Sequence, residues 1–178
     1  TPIEVKIPNR LDSQFYVKDQ GPGLSHEQIM HMYTTYFDST KQETNELIGG
    51  FGVGSKSPFS YTDSFSVESR HGGKRRLYTA FLSENGVPQI ALLGTSDMEP
   101  GEHTGLTVSM PVKPEDHNRF YEEAKSLFAW YTPVPTIEGA ASIEPMKLKT
   151  MGPDVYVYEA NPTASHHFNH NQKLQIKV

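Results

Sequence analysis

The stretch GGFGVGSKS, residues 49–57, decides how the rest of the chain is interpreted. Four glycines in six positions precede small polar residues and then Pro58 and Phe59, a pattern typical of a loop that turns into a helix. Glycine lets a ligand approach the main chain closely, and the first amides of a helix lie unpaired at the positive end of its dipole, equivalent to about half an elementary charge. The stretch therefore predicts a loop that binds phosphate.

Two known phosphate motifs do not fit this stretch. A Walker A loop requires glycine directly before lysine, but Ser55 separates Gly54 from Lys56, and the preceding segment is polar rather than a buried strand. The dinucleotide fingerprint also fails, because no βαβ unit surrounds the glycines. Taken alone, the stretch would suit a surface loop without a ligand equally well.

A second glycine stretch, DQGPG at residues 19–23, precedes the first by some thirty residues. Residues 15–18 predict a short strand that ends in Asp19, and a helix is expected to begin at Ser25. A carboxylate in that position can accept a hydrogen bond from the exocyclic amine of adenine, and a charge-assisted bond of this kind is worth about 1.5–3 kcal/mol. An Asp-Gly turn alone is common, whereas the two stretches in this order are informative.

Both stretches resemble the glycine boxes of one ATPase superfamily. VKDQGPGLSHEQI resembles the first glycine box, and IGGFGVGSKSPFSYTDSFSVESR the second, of the GHKL ATPases: gyrase B, the ninety-kilodalton heat-shock chaperone, MutL and the histidine kinases. With YFDSTK between them, the string is most similar to the phage rIIA lysis-inhibition proteins, over about residues 3–131. A histidine-kinase catalytic domain is the weaker match, because a glycine box followed by a strand meander resembles the chaperone and MutL branch more.

The resemblance implies a Bergerat ATP-binding fold. This is an α+β, two-layer α/β sandwich with a mixed, mostly antiparallel sheet and helices on one face. It also implies ATP and Mg²⁺ as cofactors, with Asp19 on the adenine amino group and Gly21 and Gly23 beside the ring. Residues 37–47 would form a lid over the nucleotide. The remaining expected nucleotide contacts are Ser39, Thr40 and Lys41 in the lid, and Gly50, Phe51, Gly52, Val53, Gly54, Ser55 and Lys56 around the phosphates.

One segment departs from the family pattern. Residues 104–112 resemble the last nucleotide-site strand, where the family usually has threonine after glycine, but Leu106 follows Gly105 here. We assign Thr107 to the site and keep Thr104 as the alternative source of the hydroxyl. The orientation of Lys56, toward phosphate or toward solvent, stays open.

Catalysis in the family uses a helix before the first strand, with a Glu that activates water and an Asn that holds magnesium. We expect that Glu to lie before Thr1 and name no catalytic residue, since Glu27, Glu43 and Glu46 follow the adenine Asp. The resemblance thus implies a nucleotide-dependent switch, linked to lysis inhibition or phage–host conflict, that hydrolyses ATP if that helix is present. The alternative is a degenerate Bergerat fold that binds a protein partner without nucleotide.

Local patterns predict the remaining elements. Residues 3–7 alternate as a strand, Ser25 and Gln28 form a capping box, residues 64–93 form a strand meander, and Pro114 opens a helix to about Tyr131. The prolines at 133 and 135 predict a boundary. We therefore expect an ATP-binding domain over residues 1–131, without its N-terminal helix, and a linker with the truncated start of a second domain over residues 132–178.

Composition limits the partners. The 178 residues carry a net charge of -5, 35% hydrophobic residues and no cysteine, which argues against attraction to nucleic acid and excludes disulfides. No apolar run approaches the ~18 residues of a membrane span. We expect the chain to bind ATP and a protein partner, such as a second copy in a homodimer, with the partner bound through the lid and the second domain. We expect the protein to lie in the host cytoplasm or at the periphery of the inner membrane. His166, His167 and His170 favour a polar tail over a metal site, because no carboxylate accompanies them.

Overall fold

A computed structural model of the chain describes residues 3–34, 54–131, 133–139, 148–152 and 155–158. These residues form strands and short helices. The elements are β1 Glu4–Lys6, β2 Gln14–Lys18, α1 His26–Thr34, a 3-10 helix Gly54–Ser60, β3 Ser64–His71, β4 Lys74–Leu82, β5 Pro88–Asp97, β6 Gly105–Pro111, a 3-10 helix Pro114–Asp116, α2 His117–Phe128, β7 Thr136–Glu138, β8 Leu148–Gly152 and β9 Val155–Tyr158.

Seven of these strands form one sheet in the order β5-β4-β3-β6-β2-β1-β7. Every neighbouring pair is antiparallel except β1 and β7, which are parallel. β8 and β9 pair separately. The expected mixed, mostly antiparallel sheet is confirmed.

One face of the sheet is apolar because side chains alternate along each strand. Cross-strand partners form a continuous row on this face: Val5, Val17, Val108, Val67 and Tyr78. Both helices pack on this row, α1 through Ile29 and Tyr33 and α2 through Ala124 and Phe128. The two-layer arrangement with helices on one face is therefore confirmed.

The start of α1 is fixed by the expected capping box. The Ser25 amide donates to Gln28 Oε1 at 2.8 Å, and the Gln28 amide donates to Ser25 Oγ at 3.2 Å. Two helix-start amides thereby gain partners. Ile29 and Tyr33 follow one turn apart and are fully buried against the sheet.

The last helix is shorter than the sequence predicts. The amides of Trp130 and Tyr131 donate to carbonyls three residues back, Leu127 and Phe128, so the end of the expected helix tightens into a turn. Pro114 begins a separate 3-10 turn before α2, as a proline without an N–H allows at a helix start.

Two strands extend beyond expectation. β5 was expected to end at Leu93 but continues to Asp97, because it pairs with all of β4 past an irregularity at Leu77 and Tyr78. β7 lies beyond the expected boundary at residue 131 and yet pairs with β1 in the main sheet. The division into two domains stays a prediction, and His166, His167 and His170 lie outside the described ranges.

Among the described residues, neither helix combines the length and the apolar character that crossing a membrane requires.

Candidate functional site

Asp19 follows β2 directly, and its carboxylate is fixed by main-chain amides. Asp19 Oδ1 accepts hydrogen bonds from the amides of Gly21 at 2.8 Å and Leu106 at 3.1 Å. The Asp19 amide in turn donates to the Leu106 carbonyl at 2.9 Å. No hydrogen bond from the described residues reaches Oδ2, so an ionised Asp19 can accept a hydrogen bond from a ligand there.

The backbone of residues 19–25, which we name the carboxylate loop, is held by hydroxyls from two strands. Thr104 Oγ1, just before β6, donates to the Gly21 carbonyl at 2.8 Å. Ser69 Oγ in β3 donates to the Leu24 carbonyl at 2.6 Å and accepts from the Leu24 amide at 3.0 Å. The loop thus gains side-chain partners where it has no ladder partner of its own.

The two residues after Ser69 add contacts to the same loop. His71 Nδ1 lies 2.9 Å from the Pro22 carbonyl oxygen, and because a carbonyl can only accept, Nδ1 carries the proton. Arg70 donates to the Asp19 carbonyl at 3.4 Å and is almost completely buried. The end of β3 therefore lines the carboxylate loop along its length.

Glycines allow this close contact. Gly23 has φ +68°, and a Cβ there would overlap the Arg70 carbonyl. Gly105 has φ +144°, and a Cβ there would overlap the Asp19 carbonyl. The expected contact of Gly23 with a ligand ring stays a prediction, since packing against β3 already requires a glycine at that position.

Asp19 and Leu106 border two hollows. The larger has a volume of about 810 Å³ and lies on the helix face of the sheet, a size typical of small-molecule sites. The smaller, of about 390 Å³, is lined by the carboxylate loop and Ile3. The walls of the larger cleft are mainly apolar, with polar groups at Asp19, Ser57, Ser60, Tyr61, Asp116, Arg119 and Glu123.

The expected helix after the second glycine box is confirmed as a 3-10 helix, Gly54–Ser60. Pro58 lies inside it and has no N–H to donate, which suits a short helix rather than a long one. Ser57 lines the larger cleft together with Asp19, so this segment and the carboxylate loop meet at one cleft. Burial lowers the pKa of the Lys56 amine.

Tyr61 joins the end of this 3-10 helix to the start of α2. Its hydroxyl donates to Asp116 Oδ2 at 2.6 Å and accepts from the Lys113 amide at 3.0 Å. Its ring packs edge-on against Phe120, with centroids 5.3 Å apart. Burial and the Asp116 carboxylate raise the pKa of the Tyr61 hydroxyl.

The contact expected between Thr107 and the nucleotide stays a prediction. Thr107 lies opposite Lys18 and Glu68 in the sheet, on the face away from the helices, whereas Leu106 lines the cleft. The Thr107 hydroxyl is buried without a hydrogen-bond partner among the described residues. Thr104, the alternative, reaches the carboxylate loop instead.

The structure describes only part of the expected site. Ser39, Thr40 and Lys41 of the lid and Gly50, Phe51, Gly52 and Val53 lie outside the described residues, while Gly54 and Ser55 are described as backbone only. The structure therefore brings Asp19, Gly21 and Gly23 together at the smaller hollow, and Asp19 lines the larger cleft together with Ser57, the residue after Lys56.

The described ranges do not supply a magnesium site. They contain no group of three or more His, Cys, Asp or Glu side chains placed to hold a metal ion. These residues therefore do not provide the set of oxygen ligands that a protein-held Mg²⁺ requires.

Sequence reasoning missed Ser69, Arg70, His71 and Gly105, whose roles depend on contacts with the distant residues 19–24. For Ser69 a signal existed: it continues the inward-facing alternation of Phe65 and Val67, where a polar residue needs a partner. The glycine within TGLTV was a similar signal for Gly105.

Comparison with known proteins adds to this geometry. Residues 1–99 match the family model described as "Histidine kinase-, DNA gyrase B-, and HSP90-like ATPase". The chaperone protein HtpG of Myxococcus xanthus is 28% identical over 142 residues; the match covers 71% of this chain and 20% of HtpG. The chain thus spans about a fifth of that relative's length.

Two solved structures are also similar. The ATPase and transducer domains of DNA topoisomerase II from Balamuthia mandrillaris match with a TM-score of 0.50 at 17% identity, over 69% of this chain and 37% of that one. The 43K ATPase domain of Thermus thermophilus gyrase B, solved with an aminocoumarin, matches with a TM-score of 0.44 at 18% identity, over 72% and 35%. The topoisomerase match supports the fold.

Proposed function

The chain belongs to the family of histidine kinase-, DNA gyrase B- and HSP90-like ATPases. We propose that it binds ATP and that the Asp19 carboxylate accepts a hydrogen bond from the adenine amino group. The observation that carries the proposal is the Asp19 carboxylate, which two main-chain amides fix at the border of a cleft of about 810 Å³. A fixed acceptor beside an apolar cleft suits a flat base with an amino group at its edge.

The chemistry of Asp19 distinguishes between bases. An ionised carboxylate only accepts hydrogen bonds, so it pairs with the 6-amino group of adenine and repels a 6-carbonyl. Oδ2 is the oxygen for this contact, since Oδ1 already accepts two amides. A hydrogen bond to a charged group contributes about 1.5–3 kcal/mol.

Residues 50–56 would contact the phosphates, with Ser39, Thr40 and Lys41 closing over them. Lys56 is assigned to this role because it directly precedes Ser57, which lines the larger cleft together with Asp19. Magnesium would arrive with ATP and be bound mainly by its phosphates.

At a finer level, we propose that the chain is a nucleotide-dependent switch of a phage rIIA-like protein in the host cytoplasm. ATP would favour a closed lid and a contact with a second subunit or a partner. The shift in free energy between the open and the closed state cannot exceed the difference in ATP binding free energy between them. The proposal includes ATP hydrolysis and a role in lysis inhibition or phage–host conflict. It rests on the sequence motifs of residues 17–70.

Calorimetry with MgATP on the full chain tests the proposal. We expect the wild type to bind, Asp19→Asn to bind about tenfold to a hundredfold more weakly, and Asp97→Asn to bind like the wild type. Asp97 is the matched control because its carboxylate is exposed on β5 and pairs with Lys74.

Two results would contradict the proposal in different ways. A wild type that binds no ATP would favour the alternative, a fold of this family that serves as a protein-interaction module without nucleotide. Equal ATP affinity in the wild type and Asp19→Asn would remove the adenine contact while leaving nucleotide binding in place.

A further inference from the structure

Ser69 is a polar residue at a core position. It continues the inward-facing row of β3 after Phe65 and Val67, and its residue is 0% exposed. A buried hydroxyl without partners costs free energy, whereas an apolar residue at this position would add to the core. The hydroxyl instead contacts both the amide and the carbonyl of Leu24, as a neighbouring strand would.

Thr104 acts on the carboxylate through one intermediate residue. Its hydroxyl donates to the Gly21 carbonyl, and the Gly21 amide donates to Asp19 Oδ1, both at 2.8 Å. Two residues further on, the Leu106 amide also donates to Asp19 Oδ1. The start of β6 therefore fixes the carboxylate directly and also fixes the turn that carries its second donor.

From this arrangement we infer that Ser69 and Thr104 are positioning residues for nucleotide recognition, an inference that rests on the proposed function. They set the carboxylate loop, and with it Asp19, in the binding geometry before a nucleotide arrives. Ordering a loop during binding subtracts from affinity, and a loop already ordered avoids that cost. Neither side chain needs to touch the ligand.

Thr104 provides the sharper test, because its side chain is exposed and its removal is tolerable for folding. We expect Thr104→Ala to bind MgATP about threefold to fivefold more weakly and Thr104→Ser, which keeps the hydroxyl, to bind like the wild type. Thr95→Ala, at an exposed position of β5, serves as the control.

Ser69→Ala is expected to weaken MgATP binding about tenfold, since it leaves both the amide and the carbonyl of Leu24 without their partner. Ser66→Ala is its control: Ser66 lies in the same strand with its side chain on the opposite face of the sheet. Amide exchange in the variant without nucleotide should be faster at Leu24, while exchange in β4 stays as in the wild type.

The outcomes separate the inference from the proposed function. Wild-type binding together with wild-type affinity in both Thr104→Ala and Ser69→Ala would overturn the inference alone. A drop in the unfolding temperature with unchanged affinity and unchanged loop exchange would overturn it too, by showing a merely structural role. A wild type that binds no nucleotide would overturn both. If Ser69→Ala does not fold, the Thr104→Ala and Thr104→Ser pair still decides.

Discussion

The carboxylate loop and the 3-10 helix Gly54–Ser60 both line the larger cleft, the loop through Asp19 and the helix through Ser57, Pro58 and Ser60, and they are held in different ways. The carboxylate loop receives side-chain hydrogen bonds from Ser69, His71 and Thr104, and glycines bring it into close contact with two strands. The 3-10 helix packs through the ring of Phe59, 4.8 Å from that of Phe65, and is followed by the Tyr61 contact with α2. The carboxylate loop, which contains the proposed adenine contact, is therefore held by side-chain hydrogen bonds, whereas the 3-10 helix and Tyr61 pack through aromatic rings.

The largest effect is expected from Gly23→Ala, which would disrupt the close contact between the carboxylate loop and β3. The new Cβ would overlap the Arg70 carbonyl, and φ of +68° strains any residue other than glycine. We expect a loss of about 3 kcal/mol in the free energy of unfolding, measured by denaturant titration.

Gly86→Ala separates the two causes. Gly86 has φ +71° in a hairpin turn, with nothing within 4 Å of a new Cβ, so only the strain of about 1–2 kcal/mol remains. Equal losses in Gly23→Ala and Gly86→Ala would show that the loop does not approach β3 as closely as described.

A smaller effect is expected from Tyr61→Phe, which changes the residue that follows the 3-10 helix. The variant keeps the ring against Phe120 but loses the hydrogen bonds to Asp116 and from Lys113. Thermal unfolding should show a loss of about 1 kcal/mol. Tyr121→Phe is the control, since the described residues give the Tyr121 hydroxyl no hydrogen bond. A loss no greater than in this control would mean that Tyr61 does not tie the 3-10 helix to α2.

The sequence predicted the features that depend on neighbouring residues. Strand alternation, the Ser25 and Gln28 capping box, the hairpin turns and the position of Asp19 after β2 are all local, and the structure confirms them. Patterns of period two or 3.6 contain this information within a few residues.

The partners of the carboxylate loop could not be predicted in the same way. Ser69 and Thr104 are 45 and 83 residues from the atoms that they hold, and no local pattern specifies which strand lies beside which loop. The face of the sheet on which Thr107 lies could not be predicted for a related reason, because a shift of one residue along β6 moves a side chain to the other face. β7 was missed because three residues after a proline-rich turn are too few to show alternation.

The central claim is that the Asp19 carboxylate reads an amino group, and a comparison of ATP with inosine triphosphate tests it most directly. Inosine carries a carbonyl where adenine carries the 6-amino group. Calorimetry on the full chain should show that the wild type prefers ATP by about tenfold or more, and that Asp19→Asn, whose amide can also donate, loses most of this preference. The same ratio of affinities in the wild type and in Asp19→Asn would contradict the account.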